Sequence, residues 1–202
     1  MKYSVTRFKS LKICIKELEP FIRDGEHLQT GKPFKRFDNL RSREILANWL
    51  LCVAINFEEK FDRLTFCSDP QGGDGIIYDN KAKKAWPTEH VLVPRSNGQL
   101  QNIESVILKA IEKKQSKGGA AYASGKTLIV FLNASGDGWF PNKISRKLPK
   151  TLDFEDVWIA GLQNVVQEEY IYNVTRLDAS GCPIWQVRIE KNFDAWEVKR
   201  IQ

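Results

Sequence analysis

What the chain lacks narrows its possible functions. No run of about 18 uncharged apolar residues is present, the longest candidate being Ile45 to Phe57, so a bilayer-spanning helix is excluded. The opening stretch MKYSVTRFKSLKICIKELEP is interrupted by charge every few residues and has no signal-peptide apolar core, so a cytoplasmic protein without a membrane partner is expected. Cysteine is sparse: Cys14, Cys52, Cys67 and Cys182 form no CxxC pair and sit among apolar neighbours. They read as buried free thiols, neither disulfides nor zinc ligands. With only His27 and His90 and no nucleophile elbow, Ser/His/Asp and Cys/His hydrolysis are disfavoured. The segment ASGKT (123 to 127) echoes the end of a phosphate-binding loop, but Ala120 stands where a glycine is required and a strand-like run follows. Nucleotide hydrolysis is therefore not expected. Neither an internal repeat nor a low-complexity tract is visible.

What is present suffices for one sizeable core. The 202 residues are 42% hydrophobic and 11% aromatic, which fits a single domain with an N-terminal helical extension. Residues 1 to 38 read as a helix and a basic loop, 39 to 133 as the core, and 134 to 202 as strands completing the sheet. Charge is uneven. Residues 1 to 43 hold eleven Lys or Arg against five acids, an excess equal to the net charge of +6 of the whole chain. That surplus fits a polyanion partner such as nucleic acid, and a solvated basic face fits it as well.

Periodicity supplies the element order. Phe8, Leu11, Ile15, Leu18 and Ile22 recur at helical steps over residues 4 to 23, and RDGEHLQTGKPFKRFDN (23 to 39) reads as a loop. Residues 42 to 58 are apolar on nearly every side and predict a buried helix. Strand-like runs follow at 63 to 68, 75 to 78 and 89 to 93, then an amphipathic helix from about 101 to 117. KTLIVFLN (126 to 133) has the uninterrupted apolarity of a strand buried on both faces. Further strand-like segments lie at 156 to 162, 169 to 175 and 184 to 189. The order predicts a mixed α/β core with a crossover helix between the third and fourth strands.

Two of the strand-like runs carry an acid at their start, Asp74 in GGDGIIYD and Glu89 in TEHVLV. Two carboxylates brought together on adjacent strands repel unless a cation offsets them, and hard oxygen ligands of this kind suit Mg²⁺ or Mn²⁺. On these motifs and the helix, three strands, helix, strand order across roughly residues 40 to 133, the chain resembles the PD-(D/E)xK, or restriction-endonuclease-like, nuclease superfamily. The resemblance implies a mixed central sheet flanked by helices and metal-dependent hydrolysis of phosphodiester bonds, with DNA the expected substrate. It assigns Asp74 and Glu89 as metal ligands and catalytic residues. Glu44, on the helix before the first strand, is the matching candidate for a third ligand.

The family's lysine lies two residues after the glutamate, and Val91 occupies that position. Some members draw the lysine from the following helix, which points to Lys114, in the inward row with Ile107 and Ala110, or to the adjacent Lys113. Lys32, Lys35 and Arg36, interleaved with Phe34 and Phe37, are candidate nucleic-acid contacts. A homodimer would suit double-strand cutting.

Each assignment has a simpler counterpart. Asp74 before Gly75 reads equally as a turn, Glu89 as a solvated strand start, and Glu44 as a first-turn helix acid. Lys113, Lys114 and Lys117 fit the cationic end of a helix, and Phe34 and Phe37 fit a plug in the core. Trp139 and Phe140, in SGDGWFPN, fit core packing or base stacking. The alternative function is a catalytically inactive nuclease-fold module that binds nucleic acid or protein.

Overall fold

A computed structural model describes residues 10–31, 33–59, 62–94, 102–133, 138–149 and 152–202. Its centre is an eight-stranded mixed sheet whose spatial order follows the chain: β1 (Leu64–Cys67), β2 (Ile76–Asp79), β3 (Lys84–Val93), β4 (Thr127–Leu132), β5 (Asp156–Val166), β6 (Glu169–Arg176), β7 (Ile184–Ile189) and β8 (Trp196–Arg200). β3, β4 and β5 are parallel neighbours, and every other pairing is antiparallel. The helices in chain order are α1 (Leu11–Arg23), α2 (Gly25–Thr30), α3 (Ser42–Asn56), α4 (Ile103–Ser116), α5 (Gly119–Ala123) and α6 (Pro141–Lys147). None of the helices among the described residues is long and apolar enough to cross a membrane.

Strand alternation divides the interior into two layers. Ile129 and Phe131 of β4 face a cluster with α1 and α3, whereas Leu128, Val130 and Leu132 face a second cluster with α4 and α6. β4 is thus buried on both sides, as its unbroken apolar run predicts. The parallel β3–β4 and β4–β5 pairs need crossovers, which α4 and α6 provide. Asn102 begins α4 by accepting a hydrogen bond from the Ser105 amide, and Pro141 opens α6 at a position where its missing N–H costs nothing.

α3 lies in the hollow of the sheet and touches both β1 near one edge and β7 near the other. This explains why it is apolar almost all round: Ile45, Leu46, Trp49, Leu50 and Val53 are each no more than 2% exposed. Buried polar groups on it are each put to use. Asn56 accepts from the Leu64 amide (2.7 Å) and donates to the Leu64 carbonyl (2.9 Å), which covers backbone groups of the edge strand β1.

Several elements differ from expectation. The loop expected over residues 23 to 39 contains α2 and a 3₁₀ turn over Lys35–Phe37, because Phe37 is buried and Phe34 packs between Phe21 and Phe37, which folds the chain back on itself. β3 begins five residues before Glu89, since Lys84 to Pro87 pair with β2. β8 and α6 carry too little apolar patterning to be read from sequence. The four cysteines are free and buried. Replacing Asn56 with alanine should leave two buried backbone groups of Leu64 unpaired and cost about 3 kcal/mol; a urea midpoint unchanged from the parent protein would contradict this.

Candidate metal centre

The site forms where β2 begins. The β2–β3 ladder reaches Ile76 opposite Pro87 and closes with the Thr88 amide donating to the Gly75 carbonyl. One step further along β3, the His90 amide finds the Asp74 side chain and donates to Oδ2 at 2.7 Å. The aspartate therefore takes the place of a strand partner, and its carboxylate is fixed by the backbone of β3.

Gly75 makes this turn possible. Its φ of +138° is costly for other residues, and an added Cβ would collide with the Asn48 amide group. That amide donates to the Asp74 carbonyl at 3.1 Å, while Asn48 Oδ1 accepts from Thr88 Oγ1 at 2.9 Å. Asn48 and Thr88 are fully buried and clamp the start of β2 to α3 and β3.

Glu44 stands one helical turn before Asn48 on α3 and so presents its carboxylate beside the same turn. It accepts from the Arg41 amide (2.9 Å) and guanidinium (3.0 Å), and the Arg43 guanidinium lies 4.0 Å away. Burial raises the Glu44 carboxyl above its ordinary value, and Asp74 adds to the rise against the Arg41 amide and the two arginines. Burial lowers the Arg43 guanidinium from its own ordinary value. Donor atoms of Glu44, Asp74 and His90 all lie within 4.8 Å of one another, close enough to hold a metal ion. Glu44 and His90 are buried and Asp74 is partly so.

Glu89 faces the other side of the sheet. Strand alternation places it toward α4, whereas His90 points toward α3. Glu89 Oε1 accepts from Lys126 (2.8 Å), and Oε2 accepts from Lys114 (2.9 Å) and from the Tyr122 hydroxyl. Burial pushes its carboxyl upward, but the bonds from Lys126, Tyr122 and Lys114 outweigh this and hold it at about 2. For Lys114, burial is outweighed by the bonds to Tyr122 and Glu89, so its ammonium is raised above the usual lysine value and stays charged. Its nitrogen also lies 3.7 Å from Asp74 Oδ2, and thus links the two expected carboxylates. The Tyr122 ring has three ammonium groups over or beside it, Lys126 at 4.3 Å, Lys117 at 5.6 Å and Lys114 at 5.7 Å.

Among the expected residues, Asp74, Glu89, Glu44 and Lys114 are brought together. Lys113 is exposed on α4 and makes no contact with them that the structure records. Lys35 is exposed on the 3₁₀ turn, and Lys32 lies outside the described residues, as does the side chain of Arg36. Trp139 packs against the α4 cluster, and Phe140 is 58% exposed. Sequence reasoning missed His90, Asn48, Tyr122 and Lys126. Asn48 had a signal: a carboxamide four residues after Glu44 in an otherwise apolar helix.

Gly75→Ala should lower stability by about 2 kcal/mol or more, and by more than Gly72→Ala, since Gly72 also has positive φ but open space around it; equal losses would remove the steric role given to Asn48. Glu89 predicts an acid transition in the metal-free protein. Its folded value is below the ordinary 4.5, so its contribution is complete above about pH 4.5 and lost as pH falls toward 2. Denaturation curves across that window should show a loss on the order of 3 kcal/mol, and Glu89→Gln should flatten it; an equally steep variant would assign the transition to other groups. No protein-family model, curated protein or solved structure matches the chain.

Proposed function

We propose that the chain is a divalent-metal-dependent phosphodiesterase of nucleic acid, DNA being the favoured substrate, with a restriction-endonuclease-like core formed by α3, β1, β2, β3, α4 and β4. The observation that carries this reading is the position of Asp74. Its carboxylate is shared between a metal-capable group with Glu44 and the cationic group around Lys114. Phosphodiester hydrolysis needs both within reach of one phosphate.

A bound Mg²⁺ or Mn²⁺ would polarise a phosphate oxygen and lower the pKa of a water molecule. Glu44 and Asp74 supply the hard anionic oxygens for such an ion. Lys114 is held charged by Glu89 and Tyr122, so it acts as a fixed positive charge for developing phosphate charge and does not accept a proton. Lys126 and Lys117 extend that charge around Tyr122 and favour a polyanion at this mouth. Glu89, with all of its recorded bonds to Lys126, Lys114 and Tyr122, serves in this reading to orient the amines. The exposed Lys35 lies on the basic N-terminal part that supports contacts to the nucleic-acid backbone.

A second reading has a specific observation in its favour. Glu89 already has cationic partners on both oxygens, as expected if the module binds nucleic acid without cutting it. Incubation with supercoiled DNA, single-stranded DNA and RNA in Mn²⁺ or Mg²⁺ separates the two. The nuclease reading expects metal-dependent cleavage that Asp74→Asn reduces to background and Lys114→Ala reduces about 100-fold. Retention on DNA without cleavage of any of the three substrates would favour the binding module.

A further inference from the structure

We infer that the metal ion is bound through the His90 imidazole together with Glu44 and Asp74, so that the centre takes a first-row transition-metal dication in preference to Mg²⁺ or Ca²⁺. This deepens the proposed function and rests on its placement of the metal, but the ligand set is argued from the α3 side of β3 alone.

The decisive feature is an unpartnered side chain. His90 is 7% exposed, and neither Nδ1 nor Nε2 has a hydrogen-bond partner among the described residues. Buried polar atoms are almost always paired, so a histidine kept in the core for packing alone would be expected to have at least one bond. Its ring instead has a donor nitrogen within 4.8 Å of carboxylate oxygens of both Glu44 and Asp74. Two donors on opposite sides of one ion stand about 4 Å apart, twice a metal–ligand bond of roughly 2.1 Å, so donors within 4.8 Å of one another are near the span of a single ion.

The surroundings hold the three donors ready. The His90 amide fixes Asp74, the Arg41 amide and guanidinium fix Glu44, and Asn48 clamps the Asp74 backbone. Glu44 and Asp74 bring two carboxylates, with Arg41, Arg43 and Lys114 beside them, and His90 adds a nitrogen donor. Selectivity follows from the nitrogen. Mg²⁺ and Ca²⁺ take oxygen ligands, and Mg²⁺ keeps much of its water, whereas imidazole suits first-row transition ions. Glu89 is outside this ligand set because it points to the opposite face, toward Lys114, Lys126 and Tyr122.

The test uses the 202-residue chain and Mn²⁺ as probe. Calorimetry should give one saturable Mn²⁺ site at least tenfold tighter than that for Mg²⁺. Pulsed electron paramagnetic resonance of the bound Mn²⁺ should show nitrogen coupling from a directly ligated imidazole, a readout that needs no variant. His90→Gln, with its circular dichroism compared with that of the parent, should lose the coupling and the preference over Mg²⁺. Bound Mn²⁺ without nitrogen coupling, equal affinity for the two ions, or no saturable Mn²⁺ binding at millimolar concentration would each overturn the inference. Failure here is separable from failure of the nuclease reading. Nitrogen-coupled Mn²⁺ without cleavage would sink only the activity, and cleavage in Mg²⁺ without nitrogen coupling would sink only the ligand set.

Discussion

The hydrogen bond from the His90 amide to Asp74 organises the site. A β-strand amide beyond the end of its partner strand must find another acceptor, and here the acceptor is a carboxylate. Once Asp74 is held in that way, the chain must leave the ladder at Gly75 in a conformation few other residues adopt, and Asn48 can reach the exposed Asp74 carbonyl. Asn48 in turn sets the rotation of α3, and that rotation delivers Glu44. One backbone donor thus fixes the relation between two like charges from distant parts of the sequence.

The buried setting of α3 makes this arrangement costly and stable together. The helix lies within the curl of the sheet, so a polar side chain on it has little access to water and must be paired. Ser42, Glu44, Asn48 and Asn56 are its buried polar residues, and the bonds of the last three tie the helix to Arg41, to the start of β2 and to β1. Strand alternation then separates the electrostatics of the site. Toward α3 lie the Glu44 and Asp74 carboxylates and the His90 imidazole, with the guanidinium groups of Arg41 and Arg43 beside Glu44. Toward α4 lies Glu89 with Lys114 and Lys126 on its oxygens and Lys117 beside the Tyr122 ring. Asp74, at the strand start, belongs to both.

Much of this was legible in the sequence because it depends on periodicity. The fully apolar run of β4, the all-round apolarity of α3 and the position of the crossover α4 each follow from local pattern, and Asp74, Glu44 and Lys114 fall where element order puts them. What was not legible depends on pairing across the sheet. That Glu89 and His90 look to opposite faces follows from a period of two, but that the imidazole meets Glu44 requires the docking of α3. Lys126 gives no sequence sign of reaching Glu89. It does so because the parallel register sets Thr127 beside Thr88, which leaves the preceding lysine at the mouth of the site. β8 is half exposed and polar, so its place at the sheet edge comes from pairing with β7 and leaves little trace in hydrophobicity.

The same geometry places Val91, two residues after Glu89. It shares the face of Glu89 and packs against the cluster under α4, so a lysine there would have its stem in an apolar layer. The ammonium beside Asp74 and Glu89 is that of Lys114 in the last turn of α4, which follows Ile107 and Ile111 on the inward face at helical spacing. Those two isoleucines are fully buried, and their packing decides how α4 sits on β3 and β4. The placement of the ammonium beside Asp74 and Glu89 therefore depends on apolar contacts one and two turns away. Placing the amine on a helix lets it come from above the sheet, and Glu89 can then hold it and Lys126 at once, one on each carboxylate oxygen. A lysine fixed on β3 itself would lie alongside Glu89 on the same strand face, beneath α4, and would not approach from the helix side.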